Sequence, residues 1–301
     1  MTMENNIKIA LLGGDARQGY LAADMAKRGF ETAVWGLGDQ NIGEAVRCKD
    51  IISAIAGASA VVLPLPASAD GMSINCPFAL YEEKFKLSAL LDITDVPIFG
   101  GRLDESFFSL ANKKNKRLID YFESESLQIR NAAPTAEGAV SIAMQHLNKT
   151  ICGCAVAVIG YGRIGQMLAH LLAKMGARVS VAARNLKQLA QAESLGYDTV
   201  RLSNELLLGG LEPVCENGRF DIIFNTVPAR LFDSSVIKAL PDSVMLIDLS
   251  SVPGGVDFGA AKERGIKAIW ALSLPGKYAP ETAGKIIGNT LIELFEREGI
   301  I

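Results

Sequence analysis

Short apolar runs alternate with amphipathic stretches along this 301-residue chain. Residues 155–159 are continuously apolar, and after a glycine-rich turn the apolar positions of residues 167–175 recur at helical spacing. A short apolar run is typical of a strand that is buried on both faces of a parallel sheet. Apolar residues at helical spacing are typical of an amphipathic helix. Another mostly apolar stretch, residues 178–183, follows directly. This region therefore predicts a strand, a turn, a helix and a second strand.

The first half of the chain repeats this rhythm. Residues 7–12 predict a strand, Gly13 and Gly14 a turn, the residues up to Lys27 a helix, and residues 31–35 the next strand. Strands that alternate with helices in this way indicate parallel sheets. The expected fold is α/β, with two Rossmann-like doubly wound parallel-sheet domains that flank a cleft. Further short apolar strands are expected within residues 60–65, 96–99, 127–130, 220–228, 243–248 and 266–270.

Two helices are expected to join the domains. Pro134 suits the first turn of a helix that runs to about Leu147, and Glu137 either complements the amino end of that helix or faces the cleft. Apolar positions between Ala283 and Phe295 form the stripe of a long amphipathic helix, expected to cross back onto the first domain. The predicted domains are residues 1–133 with a C-terminal helix at about 283–301, and residues 134–282, entered through the linker helix 134–147.

Composition bounds the class of protein. The length suggests about two domains of ~150 residues each, and 49% of the residues are apolar. The net charge of -3 argues against nucleic acid or an anionic membrane as a partner, since either would require a basic face. The basic cluster at residues 113–117 fits a solvated helix face. A signal-like start and an apolar run of about 20 residues are both missing, so a cytoplasmic location is expected.

Neither the cysteines nor the histidines suggest a metal or a disulfide framework. The five cysteines are an odd number, and we expect reduced, mostly buried thiols. The two histidines, His146 and His170, lie on predicted helices without a second ligand type at metal-binding spacing. No structural or catalytic metal is expected. His146 is the better placed of the two to face a cleft.

The turn after residues 155–159 carries the strongest functional signal in the chain. Gly160, Gly162 and Gly165 have the spacing of a dinucleotide-binding fingerprint, with Tyr161 and the pair 163–164 between them. The first glycine permits the tight turn, the second lets a pyrophosphate approach the backbone, and the third lets the helix lie close to the sheet. The predicted cofactor-binding residues of this turn are Gly160, Tyr161, Gly162, Arg163, Ile164 and Gly165. The first domain lacks the second and third glycines and is not expected to hold a dinucleotide.

The end of the second strand of this unit favours NADP as the cofactor, with NAD possible. An NAD-selective site would place an acid there, but none occurs between Ala177 and Asn185. Arg184 is predicted to bind the 2′-phosphate in charge-assisted hydrogen bonds, although a solvated charge at a strand end is an alternative. Turns after later strands place Asn225, Thr226, Pro228, Ser250 and Ser251 where a nicotinamide ring would lie; ordinary turn chemistry is the alternative.

The loops at the carboxyl ends of the first-domain strands are expected to form the substrate wall, because ligands of such sheets collect there. Arg17 on the glycine turn is the best-placed cation, and Gln18 and Ser68 are neutral donors. Lys277 is a weaker candidate, and Arg102 is weaker still. A solvated arginine at the start of a helix is the alternative for Arg17.

Six segments of the chain follow one another in a characteristic order: residues 13–18, 134–138, 160–165, 225–228, 253–258 and 274–284. Three of them are specific: the opening Gly-Gly-Asp-Ala-Arg-Gln, the later Pro-Thr-Ala-Glu-Gly and the segment that begins Leu-Pro-Gly. The glycine fingerprint, in contrast, is shared by many proteins. Together the six segments resemble one family, the A subunits of dipicolinate synthase, and the resemblance covers essentially the whole chain.

This resemblance implies a function that composition and spacing do not. It implies oxidation of a dihydrodipicolinate-type cyclic imine to pyridine-2,6-dicarboxylate, with hydride transfer to a nicotinamide cofactor. It also implies a role in the mother-cell cytoplasm during sporulation and a partner, a flavoprotein-like B subunit. Thr135 and Glu137 join the candidate substrate-binding residues on this basis. The catalytic base is left open between Glu137, His146 and a bound water.

Two other functions remain open. One is an NADP-dependent dehydrogenase of another small carboxylate, like shikimate or methylene-tetrahydrofolate dehydrogenases, although the first domain shows no matching Lys-Asp pair. The other is a non-catalytic NADP-binding module. The sequence leaves the oligomeric state open, and a homo-oligomer is compatible with it.

Overall fold

A computed structural model describes residues 7–79, 84–202 and 219–301. The chain divides into two compact units, which we call unit 1 (Met1–Asn131 with Pro275–Ile301) and unit 2 (Ala132–Leu274). Residues 275–282 thus belong to unit 1, whereas the sequence analysis placed them in the second domain.

Unit 1 is built on a parallel sheet. Its strands and helices begin with β1 (Lys8–Leu12), α1 (Ala16–Lys27), β2 (Glu31–Trp35), β3 (Val46–Arg47), α2 (Ile51–Ile55), β4 (Ala60–Val62), α3 (Leu87–Ile93), β5 (Ile98–Gly100), α4 (Glu105–Lys113) and β6 (Leu118–Asp120). A 3-10 turn, Tyr121–Glu123, then leads to α5 (Glu125–His146), which starts in unit 1 and ends in unit 2. The described strands run in the order β3-β2-β1-β4-β5-β6 and are all parallel. This is the strand order of a dinucleotide-binding sheet.

Unit 2 repeats the same topology. Its elements are β7 (Ala155–Ile159), α6 (Arg163–Lys174), β8 (Arg178–Ala183), α7 (Leu186–Ser194), β9 (Asp198–Arg201), β10 (Ile222–Asn225), α8 (Ser234–Ala239), β11 (Met245–Asp248), α9 (Phe258–Arg264) and β12 (Lys267–Trp270). The sheet order, β9-β8-β7-β10-β11-β12, corresponds strand for strand to that of unit 1. The chain then returns to unit 1 through α10 (Leu274–Tyr278) and α11 (Pro280–Arg297). The predicted α/β class with two parallel-sheet units is confirmed.

Each sheet is covered on both faces, which explains why central strands such as β1 and β7 are apolar at nearly every position. In β1, Ile9 and Leu11 belong to a core with α1 and α11, while Ala10 and Leu12 belong to a second core with α3 and α4. Neighbouring residues of a strand point to opposite faces, so both sets must be apolar. Unit 2 likewise has two cores, one involving α5, α6 and α7 and one involving α8 and α9.

The C-terminal helix α11 completes unit 1 by packing on α1. A Cβ atom added at Gly284 would lie 2.7 Å from the carbonyl oxygen of Arg17, and one at Gly288 would lie 2.7 Å from Oδ2 of Asp24. Those distances are far below normal contact, so glycine lets the two backbones approach closely. Leu291 and Phe295 of the same helix are fully buried in the unit 1 core.

Two sequence predictions about the residues of α5 are wrong. The strand expected at residues 127–130 is part of α5, and Pro134 lies inside that helix instead of in its first turn. Proline has no N–H to donate, but the helix continues through it. Glu137 consequently lies near the middle of α5 and cannot complement the helix amino end.

Candidate functional site

The glycine turn after β7 is tightly packed at its first and third glycines. Gly160 has a φ of 91°, and a Cβ there would lie 2.5 Å from Oγ1 of Thr226. A Cβ at Gly165 would lie 2.2 Å from the carbonyl oxygen of Gly160. These two positions therefore admit only glycine if α6 is to start against the turn.

Gly162, the second glycine, is open instead. It is the N-cap of α6, it is exposed, and a Cβ there would meet no described atom within 4 Å. Among the described residues no side chain caps this helix. The first N–H groups of a helix need an acceptor and favour an anion. The amino end of α6 thus has the space and the donors to receive a phosphate group.

The corresponding turn of unit 1 is closed by the protein's own groups. The Asp15 carboxylate caps α1 by accepting from the N–H of Arg17 at 3.0 Å. The N–H of Gly14 donates to the carbonyl of Asn75 at 2.8 Å. A carboxylate already occupies the place at which a phosphate would bind, so the same topology offers a phosphate site in unit 2 and not at this turn.

The residues between the glycines differ in what they can offer a cofactor. The Tyr161 ring is 2% exposed and lies in the unit 2 core, where burial raises the pKa of its phenol. Ile164 packs against the same core, whereas Arg163 is exposed in the first turn of α6. Tyr161 is therefore limited to backbone contacts with a ligand at this turn.

Cations stand where the adenosine end of a dinucleotide is expected. The strand β8 ends in the buried Ala183, and the next residue, Arg184, is exposed. Asn185 caps α7 by accepting from the N–H of Lys187 at 2.9 Å, and the Lys187 side chain is exposed. The sequence analysis did not single out Lys187, although its position two residues after a helix N-cap is visible in the sequence.

A buried carboxylate organises the carboxyl edge between β10 and β11. Asp248 has no exposed surface and accepts hydrogen bonds from Asn225 Nδ2 at 2.9 Å and from Gly255 N at 2.7 Å. It also accepts from the backbone N of Ser250 at 3.0 Å and from its Oγ at 2.7 Å. A buried carboxylate is costly unless its oxygens accept hydrogen bonds in this way. Asp248, at the end of β11, thereby joins the end of β10 to the loop that follows β11.

Asn225 and Ser250, which the sequence analysis placed where a nicotinamide ring would lie, are both buried. Asn225 is fully buried and its amide also bonds both the N–H and the carbonyl of Val227, each at 3.1 Å. Ser250 is 2% exposed. Both order the edge by holding turns. Thr226 is half-buried and donates to the carbonyl of Ile159 at 2.9 Å, Ser251 is half-buried, and Pro228 is exposed.

The carboxyl edge of the unit 1 sheet holds a buried arginine. The Arg17 residue is only 6% exposed, and its Nε donates to Asp15 Oδ1 at 2.9 Å and its Nη2 to Asp15 Oδ2 at 2.7 Å. Nη2 also donates to the carbonyl of Leu65. A Cβ on Gly276 would lie 2.9 Å from both Arg17 Nε and Asp15 Oδ2, so the segment containing Gly276 covers this ion pair.

The next residue of α1, Gln18, is even more buried. It is 1% exposed, and its Nε2 has no hydrogen-bond partner among the described residues. Ser68, in contrast, donates from its hydroxyl to Asp70 Oδ1 at 3.0 Å. Asp70 also accepts from the backbone N–H groups of Ser73 and Met72, which lower its pKa, so Ser68 is part of a formed turn.

Two further residues that the sequence analysis missed lie at this edge. Tyr121 is fully buried and donates from its hydroxyl to the carbonyl of Leu63 at 3.1 Å. Burial raises its pKa, so the phenol stays protonated. Asp120 accepts from the N–H groups of Leu103 and Phe122, each at 2.7 Å, and burial raises the pKa of this carboxyl. Tyr121 thereby links the end of β6 to the residue after β4, and Asp120 links the end of β6 to the loop after β5.

The remaining predicted residues lie in different places. Thr135 is buried within α5, and Lys277 is exposed directly after Gly276. Glu137 borders a surface groove with Leu171 of α6. His146 lines a groove with residues that start β10 and β11, which is the amino edge of the unit 2 sheet. The glycine turn is at the opposite edge, so His146 does not face it.

Four cysteines are free thiols: Cys48, Cys76, Cys152 and Cys154. Cys215 lies outside the described residues. Within residues 7–79, 84–202 and 219–301, no group of three or more His, Cys, Asp or Glu side chains could hold a metal ion. In the same part of the chain no helix is long and apolar enough to cross a bilayer.

Comparison with known sequences identifies the family. The family model of the dipicolinate synthase A-chain N-terminal domain matches residues 8–122. The family described as "D-isomer specific 2-hydroxyacid dehydrogenase, NAD binding domain" matches residues 129–250. The A subunit of dipicolinate synthase from Bacillus subtilis (strain 168) is 32% identical over 296 residues, which are 97% of this chain and 97% of that protein. The chain belongs to the family of dipicolinate synthase A subunits.

Solved structures agree with this assignment. The crystal structure of the dipicolinate synthase A subunit from Bacillus halodurans has a TM-score of 0.84 at 28% identity, covering 97% of this chain and 99% of that one. The B. subtilis structure has a TM-score of 0.83 at 32% identity, covering 98% and 97%. A transhydrogenase from Sinorhizobium meliloti, 16% identical with a TM-score of 0.70 and covering 97% and 92%, shares the fold. The family and its NAD-binding domain make the chain an NAD(P)-dependent oxidoreductase.

Proposed function

We propose that this member of the dipicolinate synthase family oxidises a dihydrodipicolinate-type cyclic imine to pyridine-2,6-dicarboxylate, with NADP as hydride acceptor. The observation that carries the proposal is identity of 32% with the B. subtilis protein over nearly the full length of both chains. Identity of that extent covers both units, including the substrate-side unit 1 as well as the NAD-binding unit 2.

The residues of unit 2 fit a bound dinucleotide. The amino end of α6 lacks a side-chain cap among the described residues, and Gly162 leaves room beside it. A nicotinamide cofactor bound there would accept a hydride from the substrate. In this proposal Gly160 and Gly165 shape the turn, and Arg163, Thr226 and Pro228 supply exposed or half-exposed surface around it. Asn225 and Ser250 contribute by holding that edge through Asp248.

We assign the preference for NADP to Arg184 and Lys187. Both side chains are exposed at the end of β8 and the start of α7, and residues 177–185 contain no acid. A 2′-phosphate adds negative charge at that end of the cofactor, and a guanidinium binds it in charge-assisted hydrogen bonds. NAD lacks this group and gains nothing from either cation.

The reaction balances without a further reactant. One ring carbon loses a hydride to NADP, its neighbour loses a proton, and the ring gains the double bond that makes it an aromatic pyridine. The main task of the protein is then to position the ring. Of the two side chains considered as bases, His146 lies at the amino edge of its sheet, which leaves Glu137 and a bound water.

The substrate carries two carboxylates, and unit 1 provides groups suited to them. In this proposal Arg17 and Gln18 bind substrate directly, and Lys277 adds an exposed cation beside the segment that covers Arg17. Thr135 is buried, and Ser68 is bound within its own turn, so we place neither at the substrate.

A second protein is expected to work with this chain. The B. subtilis relative is one lettered subunit of its synthase, which supports the existence of a further subunit. We infer that the partner is a flavoprotein-like B subunit. We also infer that the enzyme acts in the cytoplasm of the mother cell of a sporulating bacterium.

A coupled assay tests the proposal. Dihydrodipicolinate synthase would supply the substrate in the presence of this protein and NADP, with and without the B subunit. We expect NADPH and the absorbance of the pyridine product to appear together in equal amounts. NADPH formation without the pyridine, or neither signal with both subunits present, would contradict the proposed substrate.

A further inference from the structure

The side-chain nitrogen of Gln18 is a polar atom that the described part of the chain does not satisfy. Its residue is 1% exposed, and Nε2 has no hydrogen-bond partner in the described residues. The Gln18 side chain lies in the first part of α1, next to the turn at Gly14. A Cβ atom added at Gly14 would be 2.6 Å from the Cβ of Gln18 and 3.1 Å from the Cβ of Pro64. The amide is thus enclosed beside the ends of β1 and β4.

Such a group is costly to keep. A buried donor without a partner loses its hydrogen bonds to water and gains nothing in return, at a cost of about 1–3 kcal/mol. Nearly all buried polar groups in proteins have a partner, so an exception requires an explanation. A leucine of similar size would fill the same space without this cost. Gln18 therefore lowers stability at a position where an apolar residue would not.

The neighbouring Arg17 supplies donors next to the same segment. The Asp15 carboxylate accepts hydrogen bonds from Nε and Nη2 of the Arg17 guanidinium. Nη2 also donates to the carbonyl of Leu65, which directly follows Pro64. A guanidinium carries five N–H groups, two of them on Nη1. The bonds to Asp15 and Leu65 do not use Nη1. Asp15 also balances the arginine charge, so the position offers hydrogen-bond donors without a net positive charge.

We propose that the Gln18 amide and the Arg17 guanidinium form a subsite for one carboxylate group of the ligand, in which Asp15 holds the guanidinium in place. Both donors follow the turn after β1 and lie against the Pro64–Leu65 segment after β4. Loops that follow strands at this edge are where ligands of such sheets bind. The inference rests on the proposed function for the identity of the ligand, a ring with two carboxylates.

The test compares Gln18→Leu with a matched control, Gln128→Leu. Gln128 is another glutamine of unit 1, half-buried, but its Nε2 donates to the carbonyl of Phe122 at 2.8 Å. For the full-length protein saturated with NADP, dissociation constants for dipicolinate and for lactate would be measured by calorimetry. Thermal unfolding of each variant without ligand gives the second readout.

For Gln18→Leu we expect thermal stability to be kept or increased while the affinity for dipicolinate falls. Its melting temperature should equal or exceed that of the unmodified protein, because an unsatisfied amide has been removed. Its dissociation constant for dipicolinate should rise about ten- to a hundred-fold, the loss expected for a hydrogen bond to a charged group. Gln128→Leu should melt earlier and bind dipicolinate as before.

Other outcomes separate this subsite from the proposed function. A lower melting temperature of Gln18→Leu with unchanged dipicolinate affinity would overturn the subsite and give Gln18 a packing role. If the unmodified protein binds lactate but not dipicolinate, and Gln18→Leu weakens lactate, the subsite stands and the proposed substrate fails. Binding of neither carboxylate by the unmodified protein would overturn the subsite.

Discussion

The substitution Gly162→Ala isolates the cofactor site from the stability of the fold. Gly162 has a φ of -83° and a ψ of -164°, which any residue adopts, and a Cβ there meets no described atom within 4 Å. Replacing glycine by alanine at a compatible position removes freedom from the unfolded chain. Alanine is a poorer helix N-cap than glycine, which opposes this gain, so we expect the free energy of unfolding without cofactor to change by less than about 1 kcal/mol.

Cofactor affinity should fall in the same variant. A phosphate oxygen that bonds a backbone N–H sits at about 2.9 Å from the nitrogen, whereas a methyl carbon keeps other atoms at about 3.5 Å or more. The new methyl group would thus displace the pyrophosphate from the amino end of α6. Loss of one hydrogen bond to a charged group costs about 1.5–3 kcal/mol. The dissociation constant for NADP should rise at least tenfold, roughly 1.4 kcal/mol.

Thermal or urea unfolding with and without NADP measures both effects. At a cofactor concentration about 100 times the dissociation constant, binding stabilises a protein by roughly 2.7 kcal/mol, and a tenfold weaker site loses about half of that. Gly259→Ala is the control: that glycine is exposed near the start of α9, and its Cβ would lie 3.4 Å from Asp257 Oδ1. It should leave NADP binding unchanged. Unaltered NADP affinity in Gly162→Ala would refute the placement of the pyrophosphate.

Three further predictions concern single positions. Gly165→Ala places a methyl group 2.2 Å from the Gly160 carbonyl oxygen, so it should destabilise unit 2 by about 1–3 kcal/mol and lower NADP affinity, both measured by urea unfolding with and without cofactor. Arg184→Gln should raise the Michaelis constant for NADP at least tenfold, about 1.4 kcal/mol, and leave that for NAD unchanged; equal effects on both would argue against a 2′-phosphate contact. Asp233 caps α8, and hydrogen bonds from Ser235 lower the pKa of its carboxyl group. The stabilisation of the fold by this cap is therefore complete above the ordinary aspartate pKa and is lost as the pH falls through the lowered pKa. Asp233→Ala should cost about 1 kcal/mol at neutral pH, and the difference from the unmodified protein should shrink below about pH 4; a difference that persists in acid would show that the carboxylate charge is not its source.

Local patterns were sufficient to predict the glycine turn and the fold class. In residues 155–175 the strand, the turn and the helix follow one another, so neighbours in sequence carry the whole motif. The start of α5 was missed for an equally local reason. A proline usually lies in the first turn of a helix or just beyond its end. In α5, however, the helix starts at Glu125 and runs through Pro134. A proline inside a helix loses one backbone hydrogen bond, and the local pattern does not show that the helix tolerates this loss.

The parts of the site that sequence reasoning missed depend on contacts between distant residues. Asp248 bonds Asn225, which lies on a neighbouring strand, and only the pairing of β10 with β11 brings the two together. The sequence identified Asn225 as a polar residue at a strand end, but it gave no sign that its amide would be buried and engaged. Gln18 was named as a donor from its position after the turn. Its missing partner is a property of the packed structure.

The route of the chain through unit 1 has a consequence for its synthesis. Residues 132–274 are continuous, so unit 2 has its complete sequence before the ribosome has made α11. Unit 1, although its strands precede unit 2 in the chain, lacks Leu291 and Phe295 of its core until α11 has been made. Unit 1 therefore cannot complete its core before all of unit 2 has been synthesised, unlike an N-terminal domain that is continuous in sequence. Until α11 has been made, the apolar side of α1 lacks the helix that covers it in the folded protein.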